Sequence, residues 1–172
     1  MTKRAYIGVE GVARKIKKGY VGVDTELPIY DIKEETVSIT ADNISEYFTV
    51  TNGSYYFKGS GSVFTTTNGG VDGSTASTVL TAKYDISSLT FNYSYSSESG
   101  WDKFTLKVGG TVVENAVSGA TTNKSYSGSL TSGQKIEFSY SKDGSASSND
   151  DKCTFSAMTI TSVVTTQIGV EL

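Results

Sequence analysis

From Tyr47 onward, apolar and polar residues alternate one for one in short runs, and a turn-forming cluster cuts each run. A period of two, not 3.6, marks half-buried strands rather than amphipathic helices. The runs are "EYFTV", "YYFKG", "VFTTT", "TVLTAKY", "LTFNYSYS", "KFTLKV", "TVVENAV", "KSYSGSL", "KIEFSYS" and "KCTFSAMTITSVV". Between them lie "TNGS", "SGS", "NGGVDGSTAS", "DISS", "SESG", Gly109–Gly110, "TSGQ" and "KDGSASSNDD". Short strands at such spacing predict an all-β antiparallel sandwich and exclude a βαβ architecture. The residue usage agrees: serine and threonine abound beside 18 Gly, 11 Tyr and 7 Phe, and Pro28 is the single proline. These residues suit pleated surfaces and turns, and a chain almost without proline keeps its ladder donors.

The alternation assigns faces. Leu89, Phe91, Tyr93 and Tyr95 share one side; Phe104, Leu106 and Val108 point in, as do Ile136, Phe138 and Tyr140. The last run breaks phase between Phe155 and Met158, which predicts a bulge near Ser156–Ala157. The chain divides into an arm (1–30), a connector leading into the strand "TVSIT" (31–46), the sandwich (47–165) and a short tail (166–172).

The arm repeats itself: "YIGVEG" (Tyr6–Gly11) returns as "YVGVDT" (Tyr20–Thr25), with "VARKIKKG" between. Each unit reads as β-hairpin material, and an isolated hairpin is marginal in water. The arm is therefore expected to be an attachment or oligomerisation segment, with Tyr6, Arg14, Lys15, Lys17, Lys18 and Tyr20 as its candidate contacts. It is basic, whereas the whole chain carries a net charge of −3. So short a basic run on an acidic body reads as the solvent face of a hairpin, not as a nucleic-acid site. "AYIGVEGVARKIKKGYVGVD" resembles a repeat of tailed-bacteriophage structural proteins, where YIGV-x-GVARKVKK units occur singly or in tandem. That resemblance implies a virion protein, made in the host cytoplasm and placed at the virion surface. Its implied partners are other virion proteins and further copies of itself.

The body carries a second resemblance. "LTFNYSYSSESGWDKFTLKVGG" and "YSGSLTSGQKIEFSYSKDGSASSNDDKCTFSAMTIT" are similar to the MAM-like, concanavalin A-like jelly rolls of bacterial and phage surface proteins. The resemblance implies a jelly-roll sandwich with a surface-exposed binding or structural role and no catalytic one. Family members often carry an acidic pair in the last strand; here "CTFSAMT" has none, so any ligand role of that pair is missing.

Chemistry narrows the choice further. The chain has no histidine, so no Ser-His or Cys-His nucleophile pair exists. Cys153 is the lone cysteine and lies on the parity of Phe155, as a small buried hydrophobe would. No apolar run is long enough for a membrane helix, and no apolar stretch follows the basic N-terminus as in a secretory signal. Glu98 and Asp102 are the sole carboxylates near the tryptophan, and nothing fixes the spacing that a glycosidase needs. The expectation is a protein that is not an enzyme and has no resident cofactor, calcium excepted.

Two sites merit testing. Asp143, Asn149, Asp150 and Asp151 crowd one Gly/Ser loop, an oxygen set of the kind calcium takes; the alternative is an acidic turn with Asx caps. Trp101, the single tryptophan, follows the "SESG" turn on the outward parity of Lys103, Thr105 and Lys107. With Glu98, Asp102 and the aromatic pair Tyr55 and Tyr56, it is the candidate site for a host cell-surface polysaccharide, which such rings bind by stacking. The competing reading folds Trp101 over the sandwich end as a core cap. At the level of the whole protein, the alternatives are a ligand-free capsid or tail component and a bacterial carbohydrate-binding module.

Overall fold

The alternating runs become strands because each has one face to bury and ladder partners on both flanks. The computed structural model describes the backbone of residues 6–9, 12–15, 30–145 and 151–167, and side chains within 34–145 and 151–162. It divides into two units, one comprising Met1–Glu34 with Val163–Leu172, the other Glu35–Ser162. In the first unit, β1 (Tyr6–Val9) and β2 (Val12–Lys15) form an antiparallel hairpin in which Tyr6 faces Lys15 and Val9 faces Val12. The repeat's first half thus folds as read, and Arg14 lies opposite Ile7. Lys17, Lys18 and Tyr20, with the second half of the repeat, lie outside the described residues.

The second unit is the sandwich. Its elements are the end of β3 (Tyr30–Ser38), α1 (Ile44–Tyr47), β4 (Phe48–Asn52), β5 (Phe57–Ser60), β6 (Val63–Thr66) and β7 (Thr75–Ala82). There follow β8 (Ile86–Ser96), β9 (Lys103–Val108), β10 (Thr111–Val117), β11 (Ala120–Leu130), β12 (Lys135–Ser141) and, as far as Ser162, β13 (Lys152–Gln167). One sheet runs β10-β9-β12-β7-β4; the other runs β11-β8-β13-β6-β5, with β3 also on β13. Every pair of neighbours along these two orders is antiparallel.

The expected bulge is present. Register on β8 slips between Ser156 and Thr159, and Ala157 sits at φ +49°. The slip lets both halves of β13 face the core: Cys153 and Phe155 before it, Met158 and Ile160 after it, all buried. It also hands the flank of β13 from β6, paired at Thr154–Ser156, to β3, whose Thr36 meets Thr161 through their hydroxyls at 2.8 Å. The core is aromatic. Phe138 of one sheet stacks on Phe155 of the other at 4.3 Å between ring centres, and Phe91 and Phe57 close around it at 5.7 and 5.4 Å. On the outer face, hydroxyls bond in pairs between neighbouring strands, Thr90 to Thr159 and Ser94 to Thr154, the latter at 2.7 Å.

Two readings from the sequence need correction. Glu46 and Tyr47, expected to open a strand, close the four-residue helix α1, which caps onto Phe48. Four residues are too few to leave a 3.6-residue signature. Tyr55 and Tyr56 precede β5; Tyr55 makes an isolated bridge to Ala76.

Candidate functional site: a mounted tryptophan over a buried ionic cluster

After β8 the chain turns through Ser97–Gly100, and small residues fix the turn. Ser97 is buried, donates its N–H to the Gly119 carbonyl at 2.9 Å and accepts the Gly119 N–H on its hydroxyl at 3.1 Å. Gly100 takes φ +89°, which a side chain disfavours, and its N–H donates to the Ser118 hydroxyl at 2.9 Å. Lys103 donates from its amine to the Gly100 carbonyl at 2.6 Å. The next residue is Trp101, 63% exposed, and the one after it, Asp102, is wholly buried. Alternation thus holds through the turn: the ring points to solvent and the carboxylate into the sandwich. Along the same outer face follow Lys103 and Thr105, with Ser141 and Ser139 opposite them on β12. The surface beside the ring is therefore rich in hydroxyls.

Asp102 anchors the turn from below. Its Oδ1 accepts the Asp143 N–H at 3.0 Å, and its Oδ2 lies 3.1 Å from the Tyr140 hydroxyl and 3.7 Å from the Lys142 amine. Asp151, across the sandwich, completes the cluster. Its Oδ1 accepts from the Tyr140 hydroxyl at 2.8 Å, while its Oδ2 takes the Gly70 N–H at 3.2 Å and touches the Lys142 amine. Burial alone would raise the Asp151 carboxyl, but hydrogen bonds from Lys142, Tyr140 and Gly70 outweigh it and hold the group well below the usual carboxylate range. Burial first, then the bond to Asp151 and the charges of both aspartates, pushes the Tyr140 hydroxyl far up. Burial with the same two charges raises the Cys153 thiol, so it is no thiolate nucleophile. Asn68 packs alongside, donating to the Ser74 hydroxyl at 3.2 Å and the Tyr140 carbonyl at 3.3 Å.

A third buried carboxylate bridges the sheets elsewhere. Glu114 sits where β10 slips register on β9, and its Oε1 accepts from the Tyr93 hydroxyl at 2.7 Å and the Lys124 amine at 2.6 Å. The bond from Glu114 raises Lys124, and burial, then Glu114, raises Tyr93. The irregular β10 hides this site from simple alternation.

The structure sorts the expected residues. Trp101 is displayed. Glu98 is half-buried, and its carbonyl accepts the Trp101 N–H at 3.4 Å. Asp102, expected at a ligand site, is sealed inside with both oxygens engaged; it positions the ring instead of facing a ligand. Tyr55 and Tyr56 are both half-buried. Tyr55 lies on the row Ala76–Tyr140–Phe104, three strand spacings from β9, about 14 Å at the usual interstrand distance, so it does not join Trp101. Tyr56 lines a cavity of about 140 Å³ with Ile44, Val50, Phe57, Phe64 and Leu80. In the acidic loop, Asp143 accepts the Ser145 N–H at 3.2 Å and its hydroxyl at 3.3 Å, an Asx cap. Asp151 is held by Lys142 rather than open to a cation, and Asn149 and Asp150 lie outside the described residues. Among the described residues no group of three or more Cys, Asp or Glu side chains is placed to hold a metal.

No protein-family model matches the chain, and no curated protein does so. Among solved structures, the secreted serine protease VesC from Vibrio cholerae is similar over 73% of this chain, at 15% identity and a TM-score of 0.48. The match takes in 28% of that protein, so this chain spans little more than a quarter of its length.

Proposed function

We propose that the protein is a non-enzymatic structural component of a tailed-phage virion whose sandwich is displayed as a binding module. The repeat arm docks it to the particle or to sister copies, and the body offers Trp101 to a host-surface glycan. The observation that carries the binding role is the exposed Trp101 ring on a turn pinned by hydrogen bonds at Gly100 and Asp102. A ring on such a turn presents its face to the apolar side of a sugar. The hydroxyls of Ser139, Ser141 and Thr105 lie beside it for the sugar's own hydroxyls. One such site is weak, and many copies on one particle sum by avidity.

A glycan array on the full chain tests this reading. The expected result is retention of one glycan class by the wild type and its loss in Trp101→Ala. The variant should melt within about 0.5 kcal/mol of the wild type, as exposed substitutions do. A blank array for both proteins, or equal retention, would remove the glycan role and leave a purely structural one.

A further inference from the structure

The buried cluster holds more than an anchor requires. The Lys142 side chain is 1% exposed and those of Asp102 and Asp151 are 0% and 7% exposed, so one amine and two carboxylates share a dry site. Two carboxylates against one ammonium leave a negative charge there, closed off from water. At rest Asp151 is the carboxylate, held so by its hydrogen bonds; the reactive pair is the minor tautomer in which the proton has crossed the contact, a neutral amine against a neutral acid. Those are the two partners of amide formation, and the fold already holds them in contact.

We propose that Lys142 and Asp151 condense into an intramolecular isopeptide bond, with Asp102 as proton relay and Tyr140 as oxyanion donor. The Lys142 nitrogen lone pair attacks Cγ of the protonated Asp151 carboxyl, and the C–N bond forms. The carbonyl electron pair moves onto Oδ1, where the Tyr140 hydroxyl donates at 2.8 Å. The Asp102 carboxylate, 3.7 Å from the amine, takes a proton from nitrogen and passes it to the Asp151 Oδ2 hydroxyl. The C–Oδ2 bond breaks, water leaves, and Asp102 returns as a carboxylate. The balance is one amine and one acid giving one amide and one water, with nothing oxidised and no co-reactant. Lys142 directly follows β12 and Asp151 directly precedes β13, so the bond ties the two sheets at the end that carries Trp101. A chain with one cysteine has no disulfide to do this.

The test is mass spectrometry of the purified full-length protein. The intact mass should fall short of the sequence mass by one water. Trypsin should no longer cut after Lys142, giving Ile136–Lys152 as one peptide without backbone fragments between Lys142 and Asp151. A full sequence mass with cleavage at Lys142 overturns the proposal. So does a lost water in a chain still cut there, which marks cyclisation at Asp72–Gly73 or Asp143–Gly144 instead. These readings need only the wild type. Asp102→Asn, folded by circular dichroism, should keep its full mass; a cross-link in that variant overturns the relay role of Asp102.

Discussion

At the scale of single residues, charge is placed where alternation turns it inward. Asp102 shares the inward parity of Phe104, Lys142 that of Tyr140, and Asp151 that of Cys153. The sequence therefore held the signal of a buried ionic cluster: three charged residues of mixed sign on core parity at strand ends. Reading it required knowing that β12 and β13 lie in opposite sheets, which no local pattern tells. Glu114 gave no such signal, because a bulge moves it inward against its own alternation. Its partner Tyr93 allows a direct check. The folded pKa of Tyr93 is raised above its ordinary 10.0, so the hydroxyl stays protonated while an unfolded tyrosine ionises. Its stabilisation is full below pH 10 and is lost as pH rises toward the folded value. Urea unfolding from pH 8 to 11 should show stability falling above pH 10, less steeply in Tyr93→Phe. At pH 7 that variant should lose about 1–2 kcal/mol for the missing bond to Glu114.

At the scale of elements, the strands with strict alternation, β9 and β12, end where the pattern ends. The hairpin turn at Gly109–Gly110 takes φ +57° and +83°, the left-handed pair that its two glycines announce. Of the strand before Tyr47 only the end was legible, as "TVSIT"; β3 begins at Tyr30, inside the stretch read as arm and connector. The bulge in β13 was legible because one phase break separates two apolar pairs. It also carries strain: Ala157 adopts φ +49°, where a Cβ costs about 1–2 kcal/mol. Ala157→Gly should therefore stabilise the body by about 0.5–1 kcal/mol and raise its melting midpoint by a few degrees in calorimetry. A lower midpoint would mean that the bulge needs the methyl group for packing.

At the scale of the molecule, the core among the described residues runs from Ile39 to Ile160, within the second unit. A chain beginning at residue 31 is expected to unfold cooperatively at the full-length midpoint by calorimetry, while losing assembly with sister copies in sedimentation. A lower midpoint would make the arm part of the body's stability and not an attachment device. The fold was legible because period-two patterning is a whole-chain property. Of the candidate face, Trp101 alone was legible, since parity speaks about one side chain and not about which distant side chains meet it.

The turn that carries Trp101 is also a mechanical fitting. A pull on the ring passes through one peptide bond to Asp102, and from there to Tyr140, Lys142 and Asp143 at the end of β12, and through Tyr140 and Lys142 to Asp151 at the head of β13. Both sheets thus share the tension, and the load shears several bonds together instead of peeling one strand from an edge. Such a joint suits an object that must hold on while its carrier is dragged by flow.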